Sequence, residues 1–323
     1  MTRHFTVPAK LLLFGEYSIL IGSSAISLPL HLFGSALKSG GPTPEAAQSN
    51  RELRQFHGFL ANPGNGFPDI PLLERFRKEL DEGLWLSSTI PERYGMGSSG
   101  AVTAAVFDRY ITGRETFAGD VNGEDLQALR SRFAAMESFF HGTSSGFDPL
   151  VSYLDRPLQI QHNVISTVTF PGNADSGGSG LLLIDSGIPC STGARVGDFL
   201  RHFAPGGAVT PDGRRLIQLT NTAIGQLLQG NHNALREAVR SLSGFQHETL
   251  SGLVPGHLHP CWREGLETGM FSLKLCGSGG GGFLLCFAHD LRATYAFFEK
   301  QQVPVTRVPI PWGEKKGPGN DLL

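Results

Sequence analysis

The stretch Gly95-Met96-Gly97-Ser98-Ser99-Gly100-Ala101 sets glycines and hydroxyls between a strand-like run, Leu84–Ile90, and a segment of helical spacing, Ala101–Ile111. A strand, a glycine-rich turn and a helix start make an anion site. Small residues let the backbone reach phosphate oxygens, while unpaired amides and the helix dipole attract negative charge. Ser98 and Ser99 supply hydroxyls that can cap the helix, touch phosphate or act as hard oxygen ligands to Mg²⁺. The same residues would equally suit a serine-capped helix packed closely through its glycines.

Glu137 follows an apolar stripe at helical spacing (Leu126, Leu129, Phe133, Met136), and Asp148 follows the turn Gly142-Thr143-Ser144-Ser145-Gly146. Two carboxylates so placed can converge on one cleft and divide metal binding from proton acceptance. A surface helix acid and a turn aspartate is the plainer alternative. Pro149 is expected to hold Asp148 extended and outside any helix. Lys10 lies within the apolar run Ala9–Phe14, where an ammonium is costly unless a carboxylate or phosphate pairs it. A further loop, Gly277-Ser278-Gly279-Gly280-Gly281-Gly282, follows Lys274-Leu275-Cys276 between two strand-like runs. Either its backbone approaches something closely or it is a loose hairpin connection.

Competing motifs fare worse. Gly95-x-Gly97-x-x-Gly100 and Gly277-x-Gly279-x-x-Gly282 fit the dinucleotide fingerprint, but neither opens a βαβ unit, and 42 glycines make chance matches common. Gly-Lys occurs nowhere, which excludes a Walker A loop, and the protein-kinase His-Arg-Asp and Asp-Phe-Gly signatures are absent. Gly142-x-Ser144-x-Gly146 has the nucleophile-elbow pattern without the strand that should precede it. His257-x-His259-x-Cys261 lacks a fourth ligand and is read as structural.

These residues must be positioned by elements of both kinds. Leu/Ile/Val-rich runs at Ala9–Phe14, Ala25–Leu30, Leu84–Ile90, Leu158–Phe170, Gly180–Ile184 and Gly282–Phe287 read as strands. Helical spacing marks Ala101–Ile111, Glu124–Phe140, Leu216–Leu228, Leu235–Leu242 and Leu291–Gln301, and Ser39–Asn50 and Ala61–Pro71 read as loops. Without strict alternation the class is α+β. The 323 residues suffice for two domains, divided at the Gly/Ser-rich segment before Gly180 into 1–180 and 181–323. A hydrophobic share of 40 % with 17 % charged residues is that of a globular chain, and 27 basic against 29 acidic residues predict no affinity for nucleic acid or anionic membrane. Cys190, Cys261, Cys276 and Cys286 form no CxxC pair and are read as reduced. With no secretory h-region after Met1, a cytoplasmic location is expected.

Taken in order, Pro8-Ala9-Lys10 running to Phe14-Gly15-Glu16-Tyr17, then Gly95–Ala101, then Lys274–Gly282, the chain resembles the GHMP kinase superfamily. The pairing of Phe14-Gly15-Glu16 with His141-Gly142-x-x-Ser145-Gly146-x-Asp148 is most similar to the mevalonate kinases within it. The resemblance implies an N-terminal domain like the second domain of ribosomal protein S5, a ferredoxin-like C-terminal domain, and an active site between them. It implies Asp148 and Lys10 as the catalytic pair and Gly95, Gly97, Ser98, Ser99, Gly100, Gly279, Gly280 and Gly281 at ATP. Ser98, Ser99 and Glu137 would hold Mg²⁺, and Lys10, Glu16, Tyr17, Ser145, Asp148 and Thr192 would face the acceptor. The partners implied are ATP and mevalonate, with a homodimer allowed; phosphomevalonate, a sugar, or a non-catalytic sensor role are the alternatives. Departures from the family pattern are Ala9 and Arg93 in place of glycines, Gly100 in place of alanine, Tyr17 in place of histidine, and Pro149 in place of asparagine.

Overall fold

The computed structural model describes residues 6–41, 43–65, 71–111, 123–171, 178–190 and 193–309. Its N-terminal part is built on strand β1 (Val7–Phe14), the long strand β2 (Ala25–Ser39), helices α1 (Pro44–Leu60) and α2 (Pro71–Asp81), and strand β3 (Leu84–Ser88). Helices α3 (Ser98–Tyr110), α4 (Gly123–His141) and α5 (Phe147–Leu154) follow, then strands β4 (Leu158–Gln161) and β5 (Val164–Thr167). The sheet runs β1-β2-β4-β5, with β3 also on β2, and every pairing is antiparallel. β1 is buried along nearly its whole length, which is why its sequence is a continuous apolar run rather than an alternating one.

The second sheet has the order β7-β8-β6-β9. Strand β6 (Gly180–Asp185) is followed by helices α6 (Gly193–Phe203), α7 (Pro211–Leu228), α8 (His232–Thr249) and α9 (His259–Thr268). Strands β7 (Phe271–Leu275) and β8 (Phe283–Ala288), helix α10 (Leu291–Lys300) and strand β9 (Val305–Val308) complete it. This is the β-α-β-β-α-β order of a ferredoxin-like layer, so the α+β expectation holds. Phe14 stacks on Phe287 at 5.7 Å and Phe33 on Phe283 at 6.1 Å, so the two sheets share apolar contacts.

Three local expectations are corrected. Ser39–Asn50 is not all loop, because Pro44 opens α1 and the Thr43 hydroxyl accepts from the Ala46 amide at 3.1 Å; the turn-forming composition there is a helix-start signal. The run Leu158–Phe170 is a hairpin, with His162 and Asn163 at φ 49° and 63° making the tight turn. Asp148 is not outside a helix. It lies in the first turn of α5, where Pro149 forfeits only an amide with no intrahelical partner, and where a carboxylate meets the positive end of the helix dipole. Among the described residues, no helix is long and apolar enough to cross a membrane.

Candidate active site

Lys10 reaches the site from the middle of β1. Its amide donates to the Met96 carbonyl at 3.0 Å, tying the strand to the glycine loop, and its Nζ stands 2.9 Å from Asp148 Oδ2. The Lys10 side chain is 7 % exposed and that of Asp148 33 %, so the pair has a dry side and a side open to a reactant. Burial pushes the Lys10 ammonium down, but the Asp148 carboxylate, helped by Cys276 and Glu137, outweighs it and the net direction is upward. Lys10 therefore stays charged.

The loop glycines make this approach possible. At Gly97, which caps α3 with φ 76°, a Cβ would stand 2.6 Å from Lys10 Cγ. At Gly100 it would stand 2.9 Å from the Pro149 nitrogen and 3.2 Å from Asp148 Cβ, so α3 and α5 touch through a position with no room for a side chain. Gly95, at φ 75°, faces Gly277 backbone to backbone, with 3.2 Å between a would-be Cβ and the Gly277 Cα. Arg93 has φ 62°, the left-handed conformation for which a glycine is the ordinary residue.

Ser98 begins α3, and Ser99 one residue on donates to Glu137 Oε1 at 2.9 Å. The other Glu137 oxygen accepts from Ser144 at 2.5 Å, and His141 Nε2 lies 3.0 Å from the Ser99 hydroxyl. Since Ser99 has one proton and gives it to Glu137, His141 is the donor in that contact. Glu137 is 4 % exposed, and burial first, then the like charge of Asp148, push its carboxyl up to about 7. A buried carboxylate, a hydroxyl and a second carboxylate within electrostatic reach are the hard oxygen donors a divalent cation takes, and such a cation would relieve the repulsion that raises Glu137.

The other sequence-nominated residues distribute differently. The Glu16 carboxylate meets Lys274 Nζ at 2.5 Å, with the two side chains 1 % and 0 % exposed. The Tyr17 hydroxyl donates to the Ser278 carbonyl at 2.5 Å and its ring lies 4.8 Å from that of Phe199. Ser145 is exposed, and its hydroxyl accepts from the Phe147 amide at 3.3 Å at the start of α5. Gly279, Gly280 and Gly281 lie against Leu253, the Arg195 guanidinium and the Ile188 carbonyl respectively. Thr192 is outside the described residues. Lys274, Ser144, His141 and Arg195 were not nominated. Lys274 could have been found by the argument applied to Lys10, an ammonium within an apolar strand; nothing in the spacing of Arg195 points to a glycine loop more than eighty residues away.

No protein-family model matches the chain. A mevalonate kinase of Methanothermobacter thermautotrophicus is 25 % identical over 299 residues, covering 88 % of this chain and 90 % of that protein. The crystal structure of the Methanococcus jannaschii mevalonate kinase superposes with a TM-score of 0.64 at 16 % identity, over 96 % of this chain and 99 % of that one. A Streptococcus pneumoniae phosphomevalonate kinase, solved with phosphomevalonate and AMPPNP, superposes with a TM-score of 0.60 at 12 % identity over 94 % and 99 % of the two chains.

Proposed function

We propose that this chain, which is built on the GHMP kinase fold and similar along most of its length to mevalonate kinases, is an ATP-dependent phosphotransferase that phosphorylates mevalonate at its primary alcohol. The observation that carries this reading is the Lys10–Asp148 pair, 2.9 Å apart and seated directly on Gly97 and Gly100 of the glycine loop. A proton-accepting carboxylate at a phosphate-binding loop is what transfer to an alcohol needs and what a nucleotide sensor does not.

Phosphoryl transfer asks for in-line positioning, partial positive charge around the phosphates and a group that takes the hydroxyl proton. Asp148, partly exposed in the first turn of α5, accepts that proton on a carboxylate oxygen. Lys10, whose Nζ pairs with that carboxylate at 2.9 Å, offsets the charge that develops on the acceptor oxygen. The amides at the start of α3 and the Ser98 hydroxyl would face the phosphates, while the Ser99 hydroxyl is engaged by Glu137. Ser99 and Glu137 would hold Mg²⁺, which when bound would supply positive charge against the phosphates.

The test is a coupled ADP-release assay over mevalonate, phosphomevalonate, galactose and homoserine. Mevalonate should give the largest kcat/KM. Turnover of phosphomevalonate with mevalonate inert would transfer the reading to the neighbouring kinase type, and nucleotide binding without turnover of any acceptor would favour a sensor.

A further inference from the structure

Two side chains from opposite parts of the molecule grip adjacent carbonyls of the third glycine loop, residues 277–282. Tyr17, just after β1, donates its hydroxyl to the Ser278 carbonyl at 2.5 Å. Arg195, in the first turns of α6, donates through Nη1 to the Gly279 carbonyl at 2.7 Å and also contacts Cys190 Sγ. The fit is close. A Cβ on Gly280 would stand 2.3 Å from the guanidinium carbon, so the guanidinium in this position fills the space a side chain there would take.

The two grips share a support. Phe199 lies one helical turn beyond Arg195 on α6, and its ring packs on that of Tyr17 at 4.8 Å, so one face of α6 holds both the Tyr17 ring and the Gly279 carbonyl. Tyr17 adopts φ 60°, a conformation bulky side chains rarely take, and such outliers persist where the surroundings enforce them. Its neighbour Glu16 holds Lys274, so the dipeptide Glu16-Tyr17 grips the chain at both Lys274 and Ser278. The loop so held abuts the candidate phosphate loop, residues 95–101, at the backbone contact of Gly277 with Gly95.

We propose that Tyr17 and Arg195 are positioning residues for the nucleotide: together they clamp the Ser278 and Gly279 carbonyls and set the third glycine loop against the phosphate loop. This rests on the kinase reading and revises one expectation within it, since Tyr17 then serves the donor side rather than touching the acceptor. The peptide unit is planar and trans, so fixing the Ser278 carbonyl also fixes the direction of the Gly279 amide on its far side.

The experiment uses the full chain with Tyr17→Phe, which keeps the ring on Phe199 and loses only the hydroxyl, Arg195→Met, Arg195→Lys and the Tyr17→Phe/Arg195→Met double variant. ADP and a non-hydrolysable ATP analogue are titrated calorimetrically without acceptor, and KM is measured for ATP and for mevalonate. Tyr17→Phe and Arg195→Met should each weaken nucleotide binding about 3- to 10-fold, the worth of one hydrogen bond, with KM for ATP rising in parallel and KM for mevalonate little changed. Arg195→Lys keeps a donor for the Gly279 carbonyl and should fall between Arg195→Met and the unmodified protein. The double variant should lose less than the product of the single losses, because both grips act on one loop. Unchanged nucleotide affinity in Tyr17→Phe and Arg195→Met, or a rise confined to KM for mevalonate, would overturn the clamp while leaving the kinase reading in place. Absence of nucleotide binding by the unmodified protein would overturn both.

Discussion

Asp148 and Lys10 face the narrowest chemical demand in the molecule, since one must accept a proton while the other stays charged in a nearly dry setting. Asp148→Asn keeps the shape and loses the proton acceptor, so kcat should fall roughly 10²- to 10⁴-fold with nucleotide affinity almost unchanged. Steady-state kinetics beside nucleotide titration will separate the two. Lys10→Met should also lower kcat, but the double variant should fall short of the product of the single losses, because a lysine that serves Asp148 has little left to do without it. Glu137 is coupled to pH in the opposite sense from an ordinary salt-bridged acid. Its folded pKa, raised to about 7 from 4.5, means that its contribution to stability is complete below the lower value and is lost as pH rises through the upper one. In the ligand-free protein, Glu137→Gln should therefore gain melting temperature relative to the unmodified chain as pH climbs across that window. A difference that stays flat with pH would remove Glu137 as its source. With nucleotide present, Ser99→Ala and Glu137→Gln should shift the Mg²⁺ titration of activity to higher concentration.

At the scale of elements, the site is a junction of β1, α3 and α5 held by what two glycines lack. A side chain at Gly100 meets backbone atoms of Asp148 and Pro149 at 2.9–3.0 Å, and backbone cannot yield as the end of a flexible side chain can. Gly100→Ala should push α5 away from α3, costing about 1–3 kcal/mol of stability as overpacking does, and it should lower kcat by displacing Asp148. Urea denaturation measures the first and turnover the second; a variant with unchanged stability and reduced kcat would mean that α5 moves without resistance. Gly97 is more constrained still, because its φ of 76° adds backbone strain to the 2.6 Å approach to Lys10.

Across the whole molecule, Glu16 and Lys274 join the two sheets by a fully enclosed ion pair, with Lys274 also donating to the Leu275 carbonyl at 2.7 Å and lying 5.8 Å from the Phe14 ring. Burial, opposed by Lys274, pushes the Glu16 carboxyl up, a sign that the site tolerates charge there only because the partner is present. Removing one partner strands the other, so Glu16→Gln or Lys274→Met should each cost about 3–5 kcal/mol, while Glu16→Leu/Lys274→Met should recover much of that loss. Denaturant unfolding of the three variants decides it. A double variant as unstable as the sum of the singles would show that the two charges are not coupled and that neither loss comes from stranding a partner.

The sequence by itself determined the elements whose residues answer to local rules: the apolar runs of β1, β6 and β8, the helical stripe of α4, and the glycine-serine loop at the start of α3. It also exposed Lys10 as a charge in need of a partner, because burying an ammonium is costly whatever the fold. Its partner is not a local property: the family resemblance pointed to Asp148, and the fold brings the two within 2.9 Å. Lys10 and Lys274 both sit in apolar strands, and nothing local says that Asp148 answers the first and Glu16 the second. The helical setting of Asp148 was hidden for a related reason, as Pro149 disfavours helix locally while the first turn of α5 tolerates it. Tyr17 and Arg195 show the limit most plainly. A hydroxyl and a guanidinium meeting neighbouring carbonyls of a loop hundreds of residues from one and dozens from the other leave no periodic trace in the chain, because such contacts are made by the packing of α6 and the two sheets and not by any local preference.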